Sequence, residues 1–430
     1  MSYIKNVRIS DVEIESLNGK VASVGDGIQG IIQFDYFESI FKPSVSAALT
    51  LACDVKLSSE LPIVGTEKVR LKIEHDSGKV EFKDWVVGGI SEPLSSSTQS
   101  VLSLALTTEE NIKQEYKSKR LTQRFDPKVP ISSHIQNILL SLGIDSSKII
   151  IEDTANSYGF FGNYWRPFKA IYWLARRSMA KGGGDRAGFL FWQTRSGYKF
   201  KSIDTIAANA KNNVVQSFEQ REYVDEGGVA DNFKILSPFM EYNQNIIQKL
   251  RTGGYGDMTR FFNPYTLPQT ILPTDEHKYE DTVERTDSLG TTKFKGLRLG
   301  VGEEATNVDV LPYVSGTMTQ DGTVDPGTDD GNPQKWVSQS NIKYQQLMSQ
   351  SLRLTVPMNL QLEAGDPVNL SLVASNKGVD KHESGIYLVK DLRHTIKFED
   401  DGVKCFTNLR CIRDTYGSKG LKKSIPLLNS

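Results

Sequence analysis

The stretch Leu352-Arg-Leu-Thr-Val-Pro357, then Ala364-Gly-Asp-Pro-Val-Asn-Leu-Ser-Leu372, Ser384-Gly-Ile-Tyr-Leu-Val389, Asp391-Leu-Arg-His-Thr-Ile396 and Lys404 to Arg413 decides the fold class. Leu352, Leu354 and Val356 alternate with Arg353 and Thr355, the period of a strand with one buried face. Pro357 cannot donate to a ladder and ends the run. After the tight break at Ala364–Pro367 the alternation resumes, with Val368, Leu370 and Leu372 set against Asn369 and Ser371. It resumes again over Asp391–Ile396, where Arg393 and Thr395 take the polar positions. Asp414-Thr-Tyr-Gly417 stops the last strand. Short strands separated by turn signals indicate an antiparallel β-barrel or sandwich. The apolar series goes to the core, and the polar series takes the opposite face of the sheet. A slip of one residue would reverse that assignment.

Working outward, the same order of segments appears near the N-terminus. Leu61–Gly65 precedes Val69-Arg-Leu-Lys-Ile73 as Leu362–Gly365 precedes Val368–Leu372. Trp85-Val-Val-Gly-Gly-Ile90 then corresponds to Tyr387–Leu392, and Val101–Thr107 to Phe406–Arg413. The chain reads as two copies of one β unit.

The C-terminal motifs, together with Pro167-Phe-Lys-Ala-Ile-Tyr-Trp173, Ala187-Gly-Phe-Leu-Phe191, Gly197–Asp204 and Asn245–Tyr255, resemble the baseplate central hub protein of contractile-tailed bacteriophages. Each motif alone is loose; their order and spacing carry the resemblance. Such hubs are similar to the N-terminal part of type VI secretion spike proteins. The resemblance implies a mainly β fold with α+β insertions and two tube-type antiparallel β-barrel domains in one chain. A trimer of such chains offers a six-fold-like ring to the tail tube. It further implies these partners: the chain itself as a homotrimer, a spike or tail-lysozyme protein, a tail tube or tube-initiator protein, and the surrounding baseplate wedge proteins. Tape measure protein and DNA would pass through. Under this reading Arg353, Thr355, Asn369, Ser371, Arg393 and Thr395 are lumen or subunit-interface residues. The location would be the virion tail baseplate, assembled in host cytoplasm.

A chain of 430 residues holds about three domains, each able to bury a core. A net charge of −1 supplies no basic field for general nucleic-acid or membrane-surface binding. No run approaches the roughly 18 apolar residues of a membrane span, and Met1-Ser-Tyr-Ile-Lys has no signal-peptide core. Stable membrane association is not expected. Three cysteines make no disulfide framework, and Cys405 and Cys411 fall on one face of one strand, too far apart to bond.

In chain order, residues 1–110 read as the first barrel. Gly25-x-Gly27-x-x-Gly30 has the form of a dinucleotide fingerprint, but β-prone Ile31–Phe37 follows where a helix is needed; a glycine turn is the expectation. Residues 111–210 read as a small α/β domain. Ile131, Ile135, Ile138, Leu139 and Leu142 form one helical stripe, beside which His134 is expected to be half-exposed. A second helix is expected from Pro167 to the glycines after Lys181, followed by a hairpin turning at Arg195–Gly197. The second barrel is discontinuous, 211–240 with 341–416, around an irregular insertion at 241–340. A helix from Trp336 to Gln350 leads into Leu352. The tail, 417–430, is a C-terminal arm in which Ile425, Leu427 and Leu428 are candidates for docking a partner.

Chemistry is hard to find. There is no Gly-x-Ser-x-Gly elbow, no phosphate-binding loop and no His-Glu-x-x-His helix. No cofactor and no metal are expected, and the chain is not expected to be an enzyme. Two alternatives stay open. One is the same architecture in a type VI-like secretion or contractile injection system. The other, of a different class, is a polysaccharide-binding or -cleaving β-protein using the aromatics around Trp165, Trp173 and Trp192.

Overall fold

A computed structural model describes residues 7–24, 27–54, 63–95, 99–182, 187–210, 212–220, 234–242, 246–254, 256–262, 271–273, 277–278, 307–312, 317–318, 324–325, 336–373, 379–380, 383–399 and 402–414. The first part consists of β1 (Arg8–Glu15), β2 (Val21–Val24), β3 (Gly27–Ser39), β4 (Ser46–Asp54), β5 (Lys68–His75), β6 (Gly78–Ser95) and β7 (Gln99–Thr108). Gly27 opens a strand and not a helix, so the phosphate-binding geometry of a dinucleotide fingerprint is not built here. Going round, β3 pairs with β4, β4 with β7, β7 with β6, β6 with β5, β5 with β1 and β1 with β2, all antiparallel. Two parallel pairs between β2 and β3 bring the pairings back to their start.

The α/β region comprises α1 (Glu109–Lys113), β8 (Arg124–Phe125), α2 (Ile131–Ser141), β9 (Ile149–Ile151), β10 (Phe160–Phe161), α3 (Pro167–Ala175), β11 (Phe189–Thr194), β12 (Gly197–Ser202) and α4 (Ile203–Ala210). The predicted stripe of α2 is buried against Phe168, Ile171 and Leu174 of α3 and Phe189, Phe191 and Phe200 of the hairpin. Two expectations fail here. His134 is buried rather than half-exposed: it meets Phe125 edge-on, and its Nε2 lies 3.0 Å from the Asp126 carbonyl. Burial lowers its pKa from the usual histidine value. The helix from Pro167 ends at Ala175, well before the glycines. Arg177 folds back over the Trp173 ring at 3.7 Å and donates to the Trp173 carbonyl, while Met179 and Ala180 enter bridges with Ala187 and Thr154.

The remaining elements are β13 (Gln216–Glu219), β14 (Ser237–Tyr242), α5 (Ile246–Arg251), β15 (Gly256–Phe262), β16 (Ile271–Pro273), β17 (His277–Lys278), β18 (Asn307–Pro312), β19 (Thr317–Met318), β20 (Val324–Asp325), α6 (Val337–Leu347), β21 (Gln350–Pro357), β22 (Pro367–Ser371), β23 (Gly385–Glu399) and β24 (Gly402–Arg413). The segment expected to be irregular holds a small sheet of β15 with β16, β17 and β18. It leans on α6 through Thr259 and Ser338, whose hydroxyls are 3.1 Å apart.

The two halves repeat one order. β5-β6-β7-β4-β3 in the first is matched by β22-β23-β24-β21-β14 in the second, every step antiparallel. The match extends to single residues. Trp85 pairs with Val69 as Tyr387 pairs with Val368, and both long strands carry an irregularity at the same place, between Val87 and Gly89 and between Val389 and Asp391. Past it, Ile90 faces Leu104 as Leu392 faces Leu409. β3 then pairs antiparallel with β23 across the halves, so the whole is mainly β, dominated by one 13-stranded sheet. One apolar core runs through both halves, from Leu49, Leu104 and Val69 to Leu354, Val368 and Leu409. A second cluster of Ile40, Trp192, Leu347, Ala364 and Ile412 fills the junction with the α/β region.

Candidate assembly surface

The apolar series read from the sequence points inward: Leu352, Leu354, Val356, Val368, Leu370, Leu372, Leu392 and Ile396 are all buried. Alternation therefore turns the polar series to the other face of the sheet. There Arg353 and Thr355 of β21, Asn408 and Arg410 of β24 and Arg393 of β23 line an open groove of about 610 Å³, together with Phe37 and Phe239. Thr355 donates to the Asn408 side chain at 2.8 Å. Asn369 and Ser371 sit on β22, partly exposed, and do not line the groove. Thr395 shares the face but is buried, because it donates to Asp35 at 2.7 Å. Ile425, Leu427 and Leu428 lie outside the described residues.

Asp35 is the anchor of this face. Arg393 grips it with two hydrogen bonds of 3.0 Å, and the Gln33 amide adds one of 2.6 Å. The Arg393 bonds join β3 of the first half to β23 of the second. A charge-assisted bidentate pair at a strand junction fixes register as well as adding energy.

A second polar cluster, which sequence reasoning missed, locks the halves to the α/β hairpin. Glu38 on β3 accepts from the Tyr36 hydroxyl at 2.5 Å, from the Arg195 backbone N–H at 2.8 Å and from the Ala364 N–H at 2.7 Å. Glu363 accepts from Lys199 at 2.7 Å, from the Ser196 and Thr194 hydroxyls and from the Ser196 N–H. Both carboxyls are buried. Burial, helped by the negative charge of Glu363, pushes the Glu38 carboxyl from 4.5 up to about 7. Burial would raise Glu363 as well, but the Lys199 ammonium and the hydroxyls around it prevail and hold it below the usual glutamate value. No local motif marks these residues. The only signal is an acidic residue at 38 inside an aromatic-rich strand.

Among the described residues no cluster of three or more histidine, cysteine, aspartate or glutamate side chains is arranged to hold a metal. Cys53, Cys405 and Cys411 are all buried. Trp192 is buried, its Nε1–H donating to the Ala364 carbonyl at 2.9 Å, and Trp165 and Trp173 pack edge-on against each other. These tryptophans are engaged in packing rather than laid out as an open stacking platform. No helix among the described residues is long and apolar enough to cross a membrane.

No family model matches the chain, and no curated protein matches it. Solved structures do. A tail protein from Neisseria meningitidis aligns over 94% of this chain and 96% of its own, with a TM-score of 0.55 and 10% identity. The 43 kDa tail protein of prophage MuSo2 from Shewanella oneidensis aligns over 94% and 98%, with a TM-score of 0.51 and 9% identity. A component of the type VI secretion system from E. coli aligns over 96% and 79%, with a TM-score of 0.46 and 7% identity. At such identities the likeness is one of fold: the chain shares its fold with these two tail proteins, over nearly their whole length.

Proposed function

We propose that the chain is the structural hub of a contractile phage tail baseplate. Three copies form a closed ring, with the tail tube or its initiator seated on one side and the spike or tail-lysozyme protein on the other. Wedge proteins surround it, and tape measure protein and DNA pass through its centre. One observation carries this reading: the two halves of the chain repeat one strand order, with matched residue pairs along it, and are joined edge to edge by β3 and β23. Two equivalent units per chain turn a three-fold ring into a nearly six-fold seat for a tube, and head-to-tail contacts of this kind close into rings. The fold shared with two tail proteins, one of them from a prophage, supports it.

On this reading residues 1–110 and the discontinuous 211–240 with 341–416 are the ring-forming units, and 111–210 buttresses their junction. The polar face bearing Arg353, Thr355 and Arg393 lines the channel or meets the next subunit. The arginines there stand beside Asp35 and Asp391, so passing DNA is not held as it would be by an unrelieved basic wall. The tail 418–430, with Ile425, Leu427 and Leu428, docks on the spike or on a neighbouring chain.

Co-expression with the tube and spike proteins of the same phage tests this. The hub should co-purify with both, and a chain ending at Gly417 should keep its fold and bind the spike or its neighbour more weakly. Failure of the full chain to co-purify with either partner contradicts the hub role.

A further inference from the structure

We infer that each chain joins the next by antiparallel pairing of the free edge of β14 with the free edge of the second half of β6, in the register Glu241 to Ser91 and Tyr242 to Ile90. The inference rests on the ring reading above and gives it a register.

β23 pairs with β22 through Gly385–Leu388, and the later part of the same edge, Asp391–Lys397, receives β3. Its counterpart β6 pairs with β5 only as far as Val86. From Gly89 to Ser95, among the described residues, β6 pairs on one side alone, with β7. The place that β3 fills on β23 is therefore open on β6. Conversely, β3 pairs with β4 on one edge and β23 on the other, whereas its counterpart β14 pairs only with β21 among the described residues. Among the described residues, each chain thus carries one filled junction and the two unfilled halves of a matching one.

The register follows from matched pairs. Leu49 faces Phe34 and Leu354 faces Pro238, which equates Phe34 with Pro238 and hence Glu38 with Tyr242. Leu392 corresponds to Ile90, as shown by their partners Leu409 and Leu104. Since Glu38 pairs with Leu392, Tyr242 pairs with Ile90 of the next chain, and Glu241 with Ser91.

Exposure points the same way independently. Leu392 is 2% exposed beneath the internal junction, whereas Ile90 is 39% exposed. Asp35 is 5% exposed and its counterpart Phe239 is 60% exposed. Bare strand edges flanked by exposed apolar side chains are templates for strand addition. A second copy of this chain is the occupant whose edge matches. Because the two edges differ, the contact is head-to-tail and passes on from chain to chain.

Cross-linking reads the register directly, and the native cysteines are buried and give no background. Chains carrying Ser91→Cys are mixed with chains carrying Glu241→Cys and oxidised mildly. The expected result is a disulfide-linked pair in the mixture and none from either variant alone, with the double variant linking into the complete ring. A shifted pair, Ser91→Cys with Ser237→Cys, should not link. Rings that form without the Ser91–Glu241 link reject the edge pairing and leave the hub reading standing. Linked open chains without rings keep the pairing and reject the closed hub. Neither ring nor link overturns both.

Discussion

Glu38 takes up a proton more readily in the folded chain than in the unfolded one, since its carboxyl is buried and faces the charge of Glu363. A carboxyl raised from 4.5 to about 7 favours the fold when protonated. Its contribution is complete below the unfolded value and is lost as pH rises through about 7, a loss of about 3 kcal/mol. Stability measured by thermal melting should therefore fall between about pH 5 and pH 8, and Glu38→Gln should flatten that slope. Glu363, held low, acts in the opposite sense and only at more acid pH, as pH falls through its folded value. A second test concerns the strand junction. Arg393→Ala leaves Asp35 buried with only Thr395 and Gln33 as side-chain partners. Arg393 is itself partly exposed, which limits the cost to about 1–2 kcal/mol. A lower melting temperature, partly recovered by adding Asp35→Asn, is the expected outcome.

At the scale of elements, what was legible in the sequence is what depends on near neighbours. The alternation through Leu352–Val356 and Val368–Leu372 placed inward and outward faces in the right register, because one buried face enforces a period of two. The break at Gly365 was legible too, and it is strict. With φ at +92°, a Cβ there would lie 2.8 Å from the Trp192 ring. Gly365→Ala should cost about 2 kcal/mol or more and shift tryptophan emission to the red as Trp192 loosens, both readable in one melt. Other boundaries were hidden. Gly385–Glu399 reads as two short strands because the inward phase slips at Lys390: Tyr387 and Val389 point in, then Leu392 and Ile396. The slip is a bulge within one continuous strand. The end of α3 was hidden because no glycine or proline marks it; Arg177, just past it, stacks on Trp173. The Glu38–Glu363 cluster was hidden for a simpler reason. Its two carboxyls meet partners more than 150 residues away in the chain, and each member is one of many acids, hydroxyls and lysines.

For the whole molecule, the governing observation is that one strand junction is satisfied inside the chain, while among the described residues its counterpart is left open at two separate edges. On the pairing inferred above, another copy completes it. The repeat visible in the sequence thus becomes an instruction for assembly, with the α/β region wedged behind the internal junction through Arg195, Ser196 and Lys199. Electron microscopy of the purified protein in negative stain tests this most directly. The account predicts three-fold rings with a central hole and six similar lobes around the rim. Solitary particles without a hole, at concentrations where the cross-linking is done, would contradict it.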